Sequence, residues 1–177
     1  MVNSSNDGPR SFFDSDYFKN APNYFIFTDP DIELPDHLPK DFLSRLIQIE
    51  RENKIGKVGC ALRLDDYCNF DNKTIIRDGK LLNVLDWEKQ FWENEIEPTI
   101  YSAQIDTTFA VYNKENFKTH DFYRALRVAG SYSARHRPWY KDKRIPQQEW
   151  EYYLRQTRHS FWFNLNEVEN NLEHDLM

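Results

Sequence analysis

The run from Tyr24 to Leu64 restricts the fold more than any other stretch of this chain. Residues 24–28 read YFIFT, apolar at successive positions and so on both faces, as in the buried centre of a parallel sheet. From Pro39 to about Asn53, the residues Phe42, Leu43, Leu46, Ile47 and Ile49 form a helical stripe, and Gly56 is placed to end it. Residues 57–64, KVGCALRL, then alternate with Val58, Cys60, Leu62 and Leu64 on one face. Strand, helix and strand with short joints make a βαβ unit. The expectation is an α/β fold, with a mainly parallel sheet flanked by helices.

The flanking segments extend this pattern. Residues 8–20, GPRSFFDSDYFKN, suit a short helix with Pro9 in its first turn. After a loop rich in Asp and Asn, residues 80–95 carry a helical spacing of Leu81, Leu82, Leu85 and Trp92. Residues 99–114 read as two strand segments broken near Gln104 to Asp106, and YRALRVAG as a further strand. Residues 146–158 suit a helix with Pro146 near its start, and Leu165, Val168, Leu172 and Leu176 form an amphipathic helix over about 165–177. No repeat or low-complexity linker divides the chain, so residues 1–177 are expected to form a single domain.

Composition narrows the function classes. Hydrophobic residues make up 40% of the 177 and aromatic ones 16%, enough for a folded core with rings left over to line a surface or cleft. A net charge of −6 argues against nucleic acid as a general partner. The N-terminal residues lack the basic and apolar regions of a signal peptide, and no window reaches ~18 apolar residues. The expected location is therefore cytoplasmic, with membrane contact limited to the surface. Cys60 and Cys68 lack disulfide or zinc spacing and read as reduced thiols. The sequons at Asn3 and Asn72 then carry no meaning.

Four clusters could carry chemistry. Asp29 and Asp31 follow an apolar strand, where ligands bind in open α/β sheets. Two carboxylates so close repel unless screened by solvent or bridged by a cation, and an oxygen-only pair suits Mn²⁺ or Mg²⁺; the alternative is a solvated turn. Residues 124–144 reverse the local charge, with Arg124, Arg127, Arg135, Arg137, Lys141, Lys143 and Arg144 against Asp142. Arg forks at such a place suit phosphate oxygens, and His136 in their midst could ligate a metal or donate to phosphate; a solvated basic loop is the rival reading. In DWEKQFWEN, Trp87 and Trp92 are five apart and so not stacked on one helix face; one suits the core and the other a platform for an apolar or sugar-ring face, with plain core packing the rival reading. Asp106, at the break between strand segments, is either a turn former or a positioned base.

In order along the chain, NDGPR, YFIFTDPDIELP, KVGCALRLDD, WEKQFW, AQIDTTFAVY, RVAGSYSARHRPWY and QEWEYYL resemble a bacterial group of family-two-like glycosyltransferases of the GT-A type. The resemblance spans nearly the whole chain and is most specific from IDTTFA to ARHRPWY. It implies a GT-A-like mixed sheet and transfer of a sugar from a nucleotide-diphosphate donor to a glycan or lipid-linked acceptor in surface polysaccharide synthesis. It further implies that Asp29 and Asp31 hold Mn²⁺ or Mg²⁺, with His136 as a further ligand and Arg135 and Arg137 at the diphosphate. Trp87, Glu88, Trp139 and Tyr140 fall on the acceptor or sugar side. Asp106, Glu149 and Glu151 are rival catalytic carboxylates. NDGPR lies almost at the initiator Met, so the resemblance also implies an N-terminally truncated nucleotide-binding half, with self-association or a partner chain. A non-catalytic remnant that binds carbohydrate or protein is the alternative, and a metal-dependent phosphoesterase a third.

Overall fold

The computed structural model describes residues 8–71, 73–77, 80–155 and 163–164. In chain order, a 3₁₀ turn at Ser11–Asp14 leads into α1 (Asp16–Asn20), β1 (Tyr24–Phe27), β2 (Ile32–Glu33), α2 (Phe42–Asn53) and β3 (Lys57–Cys60). Then come β4 (Lys73–Arg77), β5 (Lys80–Asn83), α3 (Val84–Lys89), β6 (Glu95–Glu97), β7 (Ile100–Ser102) and β8 (Ala110–Asn113). The described elements end with β9 (Leu126–Val128), β10 (Arg135–His136), α4 (Gln147–Arg155) and β11 (Phe163–Asn164). The helix expected over 165–177 lies outside the described residues. The chain packs as two compact units, Met1–Leu62 with Phe91–Arg135, and Arg63–Gln90 with His136–Met177.

The first unit is built on a six-stranded sheet of order β1-β8-β3-β9-β7-β6. The fold is mixed α/β as expected, but the mainly parallel sheet is not what forms. β8 enters between β1 and β3 and runs antiparallel to both, with Ile26 opposite Val111 and Val58 opposite Val111. The one parallel pair is β3 with β9, Val58 facing Leu126 and Cys60 facing Val128. β1 consequently occupies an edge rather than a buried centre, and Ile26 is 45% exposed. Yet β1, β3 and β9 still point the same way, so their carboxyl ends share one end of the sheet.

Helix α2 covers this sheet with Phe42, Leu46, Ile49 and Glu50, the i, i+4, i+7, i+8 stripe of an amphipathic helix. Its C-cap is Lys54 in the left-handed region, not Gly56. Gly56 instead meets a close approach: at φ +81, an added Cβ would lie 2.5 Å from the Phe117 backbone nitrogen. Much of the aromatic surplus packs inside, while Tyr17, Tyr67, Tyr123 and Tyr152 stay exposed. Phe13 packs against Tyr112 at 5.4 Å, Phe117 at 5.6 Å and Phe122 at 5.0 Å, with Phe12, Phe18, Phe25 and Phe27 around them.

In the second unit, residues 80–83 form a strand where the spacing suggested helix. β5 pairs antiparallel with β4, Ile75 opposite Leu82, and the helix begins only after Asn83. The Asn83 side chain accepts from the Asp86 N–H at 2.8 Å, an N-cap that fixes where α3 can start. The C-terminal end of the supposed helix becomes β6, paired with β7. Cys60 is buried, Cys68 is exposed, and neither is in a disulfide. Among the described residues, no helix is long and apolar enough to cross a membrane.

Candidate carboxylate site at the sheet end

The loop 103–109 leaves β7 where β3 and β9 begin, Ser102 facing Leu126, and reaches β8 at the end of the sheet where β1 and β3 finish, Ala110 facing Phe27 and Gly59. It is pinned from several sides. Asp29, two residues beyond β1, donates its backbone N–H to the Thr107 carbonyl at 2.9 Å, and the Thr107 hydroxyl donates back to Asp29 Oδ2 at 2.6 Å. A side chain and a main chain thus lock Asp29 beside the residue that follows Asp106. The Asp106 carboxylate is gripped by both prongs of Arg10, Nε to Oδ1 and Nη2 to Oδ2, each at 3.0 Å. Arg10 also donates to the Tyr123 hydroxyl, and its guanidinium lies over the Phe122 and Tyr123 rings at 4.8 and 4.6 Å. Burial opposes the charge on Arg10, but its bonds to Asp106 and Tyr123 hold its pKa above the ordinary value.

Two more cations hold the loop. Lys57, wholly buried in β3, donates to the Ile105 carbonyl at 2.8 Å and to the Asp106 carbonyl at 3.5 Å. Arg127, in β9, donates to the Gln104 carbonyl at 2.7 Å, its guanidinium 4.2 Å from the Phe91 ring centroid. Burial pulls the Lys57 pKa down to about 7, against an upward pull from Asp106. The same burial pushes the Tyr112 hydroxyl above its ordinary value.

The expected site residues divide. Asp29 and Asp106 come together through Thr107. Asp31 lies half-buried in the turn before β2. Among the described residues, no group of three or more His, Cys, Asp or Glu side chains could hold a metal ion, so no protein cage for Mn²⁺ or Mg²⁺ is formed by such side chains alone. In the second unit, Arg137 is 8% exposed and its guanidinium donates to the Lys143 carbonyl at 3.0 Å and to the Asp142 carbonyl, tying its own loop. His136 sits edge-on to Trp139 at 4.9 Å, and Arg135 is half-buried. Trp139 and Tyr140 are 2% and 4% exposed, so their ring faces are core rather than platform; the Tyr140 hydroxyl donates to Asp66 at 3.0 Å. Glu88 is buried on α3 beside a half-buried Trp87. Glu149 and Glu151 stand exposed on α4, Glu151 accepting from Gln147 at 3.0 Å.

Sequence reasoning missed Lys57, Thr107 and Tyr123 and gave Arg10 no role of its own. A lysine opening a strand with apolar residues on both sides was the one available signal for Lys57. Comparison with protein-family models, with curated proteins and with solved structures returns no match.

Proposed function

We propose that this chain transfers a sugar from a nucleotide-diphosphate donor, with the chemistry at the end of the sheet marked by Asp29 and Asp106. One observation carries the reading: Thr107 fastens Asp29 beside Asp106, on a loop held by Arg10, Lys57 and Arg127. Sugar transfer needs charge of both kinds in one place, a carboxylate for the acceptor hydroxyl and positive charge for the departing diphosphate. Asp106 is the carboxylate suited to take the acceptor proton, once one oxygen is released from Arg10. Arg10, displaced from Asp106, has the fork that matches phosphate oxygens. Asp29 and Asp31 are the residues that would hold Mn²⁺ or Mg²⁺, which neutralises charge on a diphosphate; its other ligands would be phosphate oxygens and water.

The test is calorimetric titration of the full chain with UDP, GDP and CDP in the presence of Mg²⁺ or Mn²⁺. At least one nucleotide is expected to bind with ion dependence, and Asp29→Ala with Asp31→Ala to abolish it. No ion-dependent heat with any of them would overturn the reading. It would instead favour the non-catalytic alternative, which one feature supports: Arg10 engages both oxygens of Asp106.

A further inference from the structure

Lys57 sits in an aromatic enclosure at this site. Its side chain is 0% exposed, and its Nζ lies 4.0 Å from the centroid of Phe122, 5.2 Å from Tyr112 and 5.6 Å from Phe117. A buried ammonium is costly unless its donors are used. Its hydrogen bonds go to the Ile105 and Asp106 carbonyls, the two residues immediately before Thr107. The charged groups acting on it are Asp106 and Arg10 at the rim, Arg127 from β9, and Asp121 from the segment leading to Phe122; Tyr112 from β8 also lies against it.

We propose that Lys57 is a positioning residue: from inside the core its ammonium fastens the Ile105–Asp106 carbonyls, and so sets how Asp106 and Thr107 meet Arg10 and Asp29. The inference rests on the assignment of Asp29 and Asp106 as the functional pair. Lys57 never touches a ligand and acts through the loop. A neutral amine still donates to a carbonyl but without charge assistance, so deprotonation loosens the tether rather than cutting it. Burial brings that deprotonation to about pH 7, which makes the order of the loop sensitive to pH near neutrality.

The reporter is the Asp29 amide, whose hydrogen bond to the Thr107 carbonyl exists only while the loop is in place. Hydrogen exchange of the full chain, corrected for the intrinsic rate and followed from pH 6 to 8, is expected to show Asp29 losing at least threefold protection about a midpoint near 7. The Ala61 amide, bonded to the Val128 carbonyl of β9 rather than to a loop residue, is expected to show no such step. In Lys57→Met, Asp29 is expected to exchange at least tenfold faster at pH 6.5, with Ala61 unchanged and no step. Equal Asp29 protection in the two proteins, or a step that persists in the variant, would overturn the proposal. If the variant does not fold, an Asp29 step in the wild type without one at Ala61 supports it, and a flat Asp29 profile overturns it. No nucleotide or sugar enters the measurement, so its outcome is independent of whether the chain transfers sugar.

Discussion

Replacing Glu50 is expected to be the most damaging single change to the frame that carries the site. Glu50 is 0% exposed and, among the described residues, its carboxylate has no cation at hydrogen-bond distance; it survives burial by accepting from neutral donors. Tyr24 Oη donates to Oε2 at 2.7 Å, Asn116 Nδ2 to Oε1 at 2.7 Å, and Asn113 Nδ2 reaches both oxygens at 3.0 Å. One side chain therefore ties α2 to β1, to β8 and to the turn after it, and β1 leads directly to Asp29. Hydrogen bonds to a charged group contribute about 1.5–3 kcal/mol each, and an orphaned buried donor costs a similar amount. Asn113 Nδ2 keeps a bond to Tyr24 Oη at 3.1 Å, so with the Tyr24 and Asn116 donors orphaned Glu50→Ala should lose about 4 kcal/mol, which for a chain of this length lowers Tm by roughly 8–16 °C. Glu50→Gln should lose only about 2 kcal/mol. Its amide oxygen keeps the Asn116 bond, and the Tyr24 hydroxyl can turn to accept from the amide.

Acid behaviour supplies a second arm of the same test. Burial alone would raise the Glu50 pKa, but the bonds from Asn116, Tyr24, Asn113 and the Gly56 backbone hold it below the ordinary value. A depressed carboxylate contributes stability above its unfolded pKa and loses it as pH falls through the folded one. The gap between wild type and Glu50→Gln should thus be full at pH 7 and shrink as pH falls below about 4. Urea unfolding at a series of pH values measures both arms. Equal losses for Gln and Ala, or losses under about 0.5 kcal/mol for both, would refute the clamp.

Two other outcomes follow from the core. Lys57 has an ordinary pKa of 10.5 when unfolded and about 7 when folded, so the unfolded state binds the extra proton between those values and stability rises with pH there. Wild type should gain roughly 2 kcal/mol from pH 7 to 9 relative to Lys57→Met, measured by parallel urea unfolding; identical slopes would count against a buried, titrating lysine. Gly59→Ala should destabilise by about 2–3 kcal/mol, because its Cβ would lie 2.4 Å from the Phe109 carbonyl and 2.7 Å from Ala110 Cβ in adjoining β8. A thermal shift within 1 °C of wild type would contradict that packing.

The elements whose periodicity is local were legible in the sequence, and their order in the sheet was not. The apolar runs at 24–27, 57–60, 110–113 and 126–128 all became strands, and the stripe from Phe42 to Ile49 became α2. The insertion of β8 between β1 and β3 depends on pairing between residues far apart in the chain, which neither run encodes alone. The helix expected at 80–95 gave way because Asn83 caps α3 late and β4 takes residues 80–83 as a partner. Asp106 was visible as a break between strand segments. Its partner Arg10 is 96 residues away, and Lys57 gains meaning only when Phe117 and Phe122 close around it. Trp139 and Tyr140 were placed on the acceptor or sugar side by the resemblance alone, which does not say which rings are buried.

The most direct measurement is release of nucleoside diphosphate from a panel of nucleotide sugars, with Mg²⁺ or Mn²⁺, comparing wild type with Asp106→Asn. Wild type should release a nucleoside diphosphate from at least one donor, and Asp106→Asn, which keeps the shape but not the base, should lose on the order of 10²-fold or more. No release by wild type from any donor, or equal release by the variant, would contradict sugar transfer at the Asp29–Asp106 site.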